Sequence, residues 1–280
     1  MRVPAISDDA SRLLRFAIGS GHPFGHEFSA KFSAGACRAD RHLLSFAREA
    51  FGPREAPLLD ALERAFALPS GCRAEVRALW SQATHVHLGL EGADERADAR
   101  AVRKLYLESA HAHEAARAGS ASGWCAVHRA FKWRDGDSRG FAVTHYDALL
   151  ARGLAPRQAL LDEVLAQVPA MRAEMTGLTQ RVHAAAPGDD AMLLRVGDRD
   201  THRLSVDLNL YPLGWRVRDA RYAITALAGA CDVPAAAMRA WFEAFGAHAL
   251  GHVAAGRDAH GIPFATVYFG AHGCGGGCRP

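Results

Sequence analysis

Arg203-Leu204-Ser205-Val206-Asp207-Leu208-Asn209-Leu210-Tyr211 alternates without a break. One set of positions carries Arg203, Ser205, Asp207, Asn209 and Tyr211; the other carries Leu204, Val206, Leu208 and Leu210. Successive side chains of a strand leave on opposite faces, so this segment has one aliphatic face and one polar face. The aliphatic face needs a protein partner. The polar face looks either to bulk water, the common arrangement in antiparallel sheets, or into an enclosed chamber. A solvated face favours Lys, Glu, Thr and Gln; the mixture of Arg, Asp, Asn and Tyr points to the chamber.

The same period of two recurs on either side. His85, His87 and Glu91 oppose Val86, Leu88 and Leu90, and Lys104, Tyr106 and Glu108 oppose Leu105 and Leu107. These two strands flank an acidic, Ala-rich turn at 92–101 and read as a hairpin. Further hairpins are expected from 124–134 with 140–148, from 191–196 with 201–211, and from 250–256 with 262–270, where Thr266 and Tyr268 oppose Ala265, Val267 and Phe269. Eight strands are thus expected. His87 and His252 hold similar places in the first and last hairpins, a weak internal repeat.

Helical periods fill the rest. The spacing of Leu43, Leu44, Phe46 and Ala47 predicts a helix over 36–50 stopped by Gly52-Pro53, and further helices over 56–67 and 72–80. The stretch 24–33 reads as an edge strand or a loop. Later helices are expected over 156–186, split near Pro169, and as a pair over 219–231 and 234–249. The fold class is α+β, antiparallel hairpins alternating with helix pairs. The chain is expected to form one domain: a helical part at 1–82, a barrel at 83–270 and a flexible Gly/Cys tail at 271–280.

Composition narrows the function. The 280 residues are 49% hydrophobic and 22% charged, with 33 Lys+Arg against 30 Asp+Glu. A net charge of +3 supplies no basic surface of the kind nucleic acid requires, so no nucleic-acid partner is expected. No apolar run reaches the roughly 18 residues of a membrane span, and no signal-like segment opens the chain. The expectation is a cytoplasmic protein with no membrane partner and with its six cysteines reduced.

Lys104-Leu105-Tyr106, Lys132 after His128, Asn209-Leu210-Tyr211 and Thr266-Val267-Tyr268, set among helices and antiparallel hairpins, resemble the ABBA-type aromatic prenyltransferases. The resemblance covers about 84–270 with the preceding helices and rests on topology and residue types. It implies a barrel with helices outside and a polar lumen inside, usually of ten strands. It also implies a prenyl group moved from an allylic diphosphate to a small aromatic or peptide acceptor. Lys104, Lys132 and Arg203 would then hold the diphosphate, with His128, Asn209, Tyr211 and Thr266 binding alongside, and Tyr106, Tyr146 and Tyr268 would shield the cation. Glu91, Glu108 or Asp207 would accept the acceptor's proton. No cofactor is required; Mg²⁺ is allowed but not demanded, because no Asp-Asp-x-x-Asp run is present.

Other readings stand beside this one. The same polar sheet face would serve a non-catalytic binding or accessory protein, with or without a metal, or a metal-dependent oxidoreductase built on the His pairs. The C-terminal His272-Gly273-Cys274-Gly275-Gly276-Gly277-Cys278 has zinc-ligand spacing in His272, Cys274 and Cys278, but its plainest reading is a loose tail. His85-x-His87 and the cluster His111, His113, Glu114 are weaker metal candidates, most simply polar surface or chamber residues. Phosphate-binding Gly loops and the Gly-x-Ser-x-Gly elbow of hydrolases are missing.

Overall fold

The alternating segments pair edge to edge until the sheet meets itself. The computed structural model describes residues 7–92, 100–109, 114, 123–134, 137, 140–185 and 192–274. Its strands are β1 (Phe24–Ser33), β2 (Ala36–Arg38), β3 (Arg41–Ala47), β4 (His85–Glu91), β5 (Val102–Glu108), β6 (Trp124–Arg134), β7 (Ala142–Leu149), β8 (Leu193–Asp198), β9 (Leu204–Asn209), β10 (Leu250–Arg257) and β11 (Pro263–Cys274). Every strand from β3 to β11 pairs antiparallel with its sequence neighbour, β3 pairs with β1, and β1 pairs with β11. Ten strands therefore close a barrel, with β2 appended to the second half of β1.

Closure decides what each face of the sheet meets. The aliphatic faces turn outward, where helices cover them in two groups. Helices α1 (Asp8–Gly19), α2 (Ala56–Phe66) and α3 (Ser70–Trp80) bury Leu13, Leu59, Leu62 and Val76 against Leu44, Phe46, Val86, Leu88 and Leu105. Helices α4 (Leu154–Val164), α5 (Pro169–Ala185), α6 (Arg221–Gly229) and α7 (Ala235–Phe245) bury Leu161, Met175, Leu227 and Trp241 against Phe32, Val206, Leu208, Val253, Val267 and Phe269. Phe32 and Phe269 both meet the Trp241 ring edge-on, at 5.5 and 5.7 Å. Burying each such side chain contributes about 1.5–3 kcal/mol.

The helix ends follow local chemistry. Ser7 caps α1 by accepting a hydrogen bond from the Ala10 amide at 3.1 Å, with Asp8 and Asp9 in the first turn. Ala67, left-handed at φ 51°, closes α2, and Pro69 starts α3.

Three expectations change. The stretch 36–50 is not a helix but β2, β3 and a short 3-10 turn. Its true period is two: Leu44 and Phe46 face outward into the core, while Arg41, Leu43 and Ser45 face the lumen. Leu43 is apolar on the polar side, and with its neighbour Leu44 it mimics a helical stripe. The segment before residue 83 accordingly contributes three strands beside its helices, and β1 is an interior strand of the closed barrel, not an edge. Finally, β11 runs to Cys274 and pairs with β1 through Phe24↔Cys274, so the first part of the expected tail is sheet.

A bulge sets the orientation of that last stretch. Gly270 and Ala271 together face Glu27 in the register, and Gly270 holds φ 70°, which a side chain would strain. The extra residue switches the face. His272 and Cys274 consequently sit on the outer side, whereas Thr266 and Tyr268 face the lumen.

Candidate active site

The lumen is divided by its tyrosines. Tyr106 of β5, Tyr146 of β7 and Tyr268 of β11, with Asp207 of β9, line two cavities at once, one of about 400 Å³ and one of about 320 Å³. The Tyr106 and Tyr146 rings lie 5.8 Å apart and their side chains are hydrogen-bonded. Burial pushes all three phenols above their ordinary range, so they remain neutral hydroxyls with intact aromatic faces. Ala130, Ala148, Leu194 and Val196 pack with Tyr146 and Tyr106 into a small apolar wall inside the barrel.

The larger chamber is cationic. Lys31, Arg41, Lys104, Lys132 and Arg203 converge on it from β1, β3, β5, β6 and the start of β9. Glu91 ties one group together: its Oε2 is 2.6 Å from Arg41 Nη1 and 3.1 Å from Lys104 Nζ, and its Oε1 is 4.0 Å from Lys31 Nζ. Asp198 ties the other, 3.3 Å from Lys132 Nζ and 3.2 Å from Arg203 Nη1. The ammonium groups of Lys104 and Lys132 share this space with the guanidinium groups of Arg41 and Arg203. Burial first, then repulsion from Arg203 and Lys104, drives Lys132 well below the usual lysine range. Lys104 falls to about 8, mainly through burial, with Glu91 opposing and Arg41 reinforcing the drop. Asp137, Asp207 and Asp258 also line the chamber, and the two lysines are held down in spite of them.

The smaller chamber is built from imidazoles and carboxylates. His87, His128 and His252 line it with Glu27, Glu108, Asp207, Asn209, Tyr211 and Ser45. His252 Nδ1 lies 3.1 Å from Asp207 Oδ1; that bond and charge outweigh burial and raise the imidazole. The Tyr211 hydroxyl donates to Glu27 Oε1 at 2.9 Å, yet burial dominates and raises Glu27. Glu108 goes the other way. Burial would raise it, but the hydrogen bond from His87 and the nearby imidazoles outweigh burial and hold it at about 2.

The sequence-predicted residues divide between these chambers. Lys104, Lys132, Arg203 and Thr266 line the cationic one, and Tyr106, Tyr146 and Tyr268 form the partition. Glu108, His128, Asn209 and Tyr211 line the second chamber, and Asp207 stands at the boundary. Tyr211 reaches in from the 3-10 turn after β9 instead of from the strand itself. Glu91, expected as a base, lies on the cationic side, ion-paired to Arg41 and Lys104. His272 and Cys274 do not serve the lumen; His272 stacks on Phe28 and Cys274 packs against the α1–α3 core. Cys278, His111 and His113 lie outside the described residues.

Lys31, Arg41 and Asp198 were missed. The signal for Lys31 was present, since Glu27, Ser29 and Lys31 alternate with Phe28, Ala30 and Phe32. Arg41 was hidden by the apparent helical stripe around Leu43.

A closed ten-strand antiparallel barrel with helices outside is the architecture of the ABBA-type aromatic prenyltransferase fold. Among solved structures, the chain is similar to a 6-dimethylallyl tryptophan synthase, with a TM-score of 0.50 and 14% identity over 96% of this chain and 83% of that one. Weaker likenesses are to the NotF prenyltransferase (TM-score 0.46, 11% identity, 87% and 80% covered) and to AnaPT from Neosartorya fischeri (0.44, 12%, 90% and 79%). No protein-family model matches the sequence, and no curated protein matches it significantly.

Proposed function

We propose that the chain transfers a prenyl group from an allylic diphosphate to an aromatic acceptor within the barrel. The observation that carries this reading is the separation of five cations from the imidazole–carboxylate chamber by Tyr106, Tyr146 and Tyr268. The diphosphate occupies the cationic chamber, where its negative charge relieves the repulsion among Lys104, Lys132 and Arg203. As the allylic C–O bond breaks, the electron pair leaves with the diphosphate oxygen, and preorganised cations stabilise that leaving group more than they stabilise the intact ester. The allylic cation forms against the tyrosine faces and the Leu194–Val196 wall, which offer π density but no free water. An electron-rich ring in the second chamber attacks it. Asp207, at the boundary and steadied by His252, accepts the proton that restores aromaticity.

The cluster of lysines and arginines supplies the charge that a divalent ion otherwise provides, so the reading requires no Mg²⁺. Incubation with dimethylallyl or geranyl diphosphate and a panel of indoles and phenols tests it by mass spectrometry of products. Thermal stabilisation by the diphosphate with turnover supports the reading. Neither stabilisation nor product with any donor refutes it.

A further inference from the structure

Glu108 sits between two imidazoles. Its Oε2 is 2.8 Å from His87 Nε2 and 4.0 Å from His128 Nδ1, and one ligand atom from each of the three residues lies within 4.8 Å of the others. Among the described residues no other three His, Cys, Asp or Glu side chains converge in this way. They come from adjacent strands, with Glu108 directly opposite His128 across β5 and β6 and His87 on β4 beside Tyr106. A sheet holds such a set more rigidly than loops do.

Ser45 Oγ engages His87 Nδ1 at 2.7 Å, which orients the ring and leaves Nε2 aimed at the cluster. His128 Nδ1 is moreover sealed from solvent without a hydrogen-bond partner. A buried polar atom left unsatisfied is costly unless something else occupies its direction.

We propose that His87 Nε2, His128 Nδ1 and the Glu108 carboxylate bind one divalent transition-metal ion of the Zn²⁺ type in the second chamber. Tetrahedral ligands at about 2.0–2.2 Å from the ion stand about 3.3–3.6 Å apart. The observed spacings of 2.8 and 4.0 Å from Glu108 bracket that value, and all three ligand atoms lie within 4.8 Å of one another. Two imidazoles and a carboxylate leave a coordination position open toward the cavity. On the prenyl-transfer reading, that position selects the acceptor. A metal stabilises a deprotonated oxygen, so a phenol or catechol is preferred over an indole.

Chelator-treated protein titrated with Co²⁺ tests the site directly. One ion per chain, a tetrahedral visible spectrum and displacement by Zn²⁺ are expected. His128→Gln should abolish the spectrum. Ser45→Ala, which removes only the hydrogen bond behind His87, should weaken binding about 10- to 100-fold. Thermal unfolding of both variants shows that they remain folded, and catechol, not indole, should alter the Co²⁺ spectrum. Substoichiometric binding, or wild-type affinity in either folded variant, overturns the site; an identical response to catechol and indole overturns the acceptor preference. Because binding is read without turnover, a failed Co²⁺ titration removes the metal alone and a failed product assay removes prenyl transfer alone.

Discussion

Raising the pH through the range of Lys104 should move diphosphate affinity and protein stability in opposite directions. The ammonium lies 3.1 Å from Glu91 in a site where burial, Arg41 and Arg203 all oppose its charge, and it is held at about 8. In the unfolded chain a lysine titrates near 10.4. Between pH 8 and about 10.4 the unfolded state therefore binds more protons than the folded state, so this group makes unfolding harder as pH rises. A depression of roughly two and a half pH units corresponds to about 3 kcal/mol across that window. Ligand binding has the reverse sign. A diphosphate is fully ionised above pH 8 and draws the proton back to Lys104, so Kd should be flat below pH 8 and then climb toward about tenfold per pH unit. Lys104→Met should remove this lysine's share of both slopes and weaken binding at pH 7 by the worth of one charge-assisted contact, about 1.5–3 kcal/mol, or about 10- to 100-fold. Calorimetric titration of the diphosphate in buffers of different ionisation enthalpy measures Kd and proton uptake together. A Kd independent of pH from 7 to 10, or an unaltered profile in Lys104→Met, would refute the placement of the diphosphate beside this lysine.

Other expectations follow from packing and from the partition. Tyr268→Ala breaches the tyrosine layer, so the ratio of hydrolysed prenyl alcohol to prenylated product should rise; an unchanged ratio would show that the ring does not exclude water. Gly256→Ala places a Cβ against the Leu204 carbonyl and the Ser205 backbone on the neighbouring strand, and the overpacking should cost about 1–3 kcal/mol in denaturant unfolding. Asp9→Ala withdraws the carboxylate 2.6 Å from Arg103 Nη2, whose side chain is otherwise buried beneath the Phe66 ring. The part-exposed pair limits the loss to about 2 kcal/mol, read as a lower Tm without a change in diphosphate binding.

The four hairpins, their polar faces and the helices between them were legible in the chain because period-two and period-3.6 patterns are local properties of neighbouring residues. Lys104, Tyr106, Arg203 and Tyr268 could be assigned to one face for the same reason: alternation within a strand needs no knowledge of its partner. Arg41 could not, because a single apolar residue on the lumen side, Leu43, made β3 look helical. His272 follows Tyr268 by an even count and would share its face in an unbroken strand; the extra residue opposite Glu27 turns it outward, and a bulge depends on the partner strand. Closure itself is likewise beyond local pattern. Whether β1 meets β11, and hence whether the polar faces look into a chamber or into water, is settled by the twist and pairing of all ten strands together. The division of that chamber is decided at the same level: Glu91 and Glu108 stand on opposite sides of the tyrosines though both belong to the first hairpin, because charge separation across a barrel arises from where side chains of different strands meet.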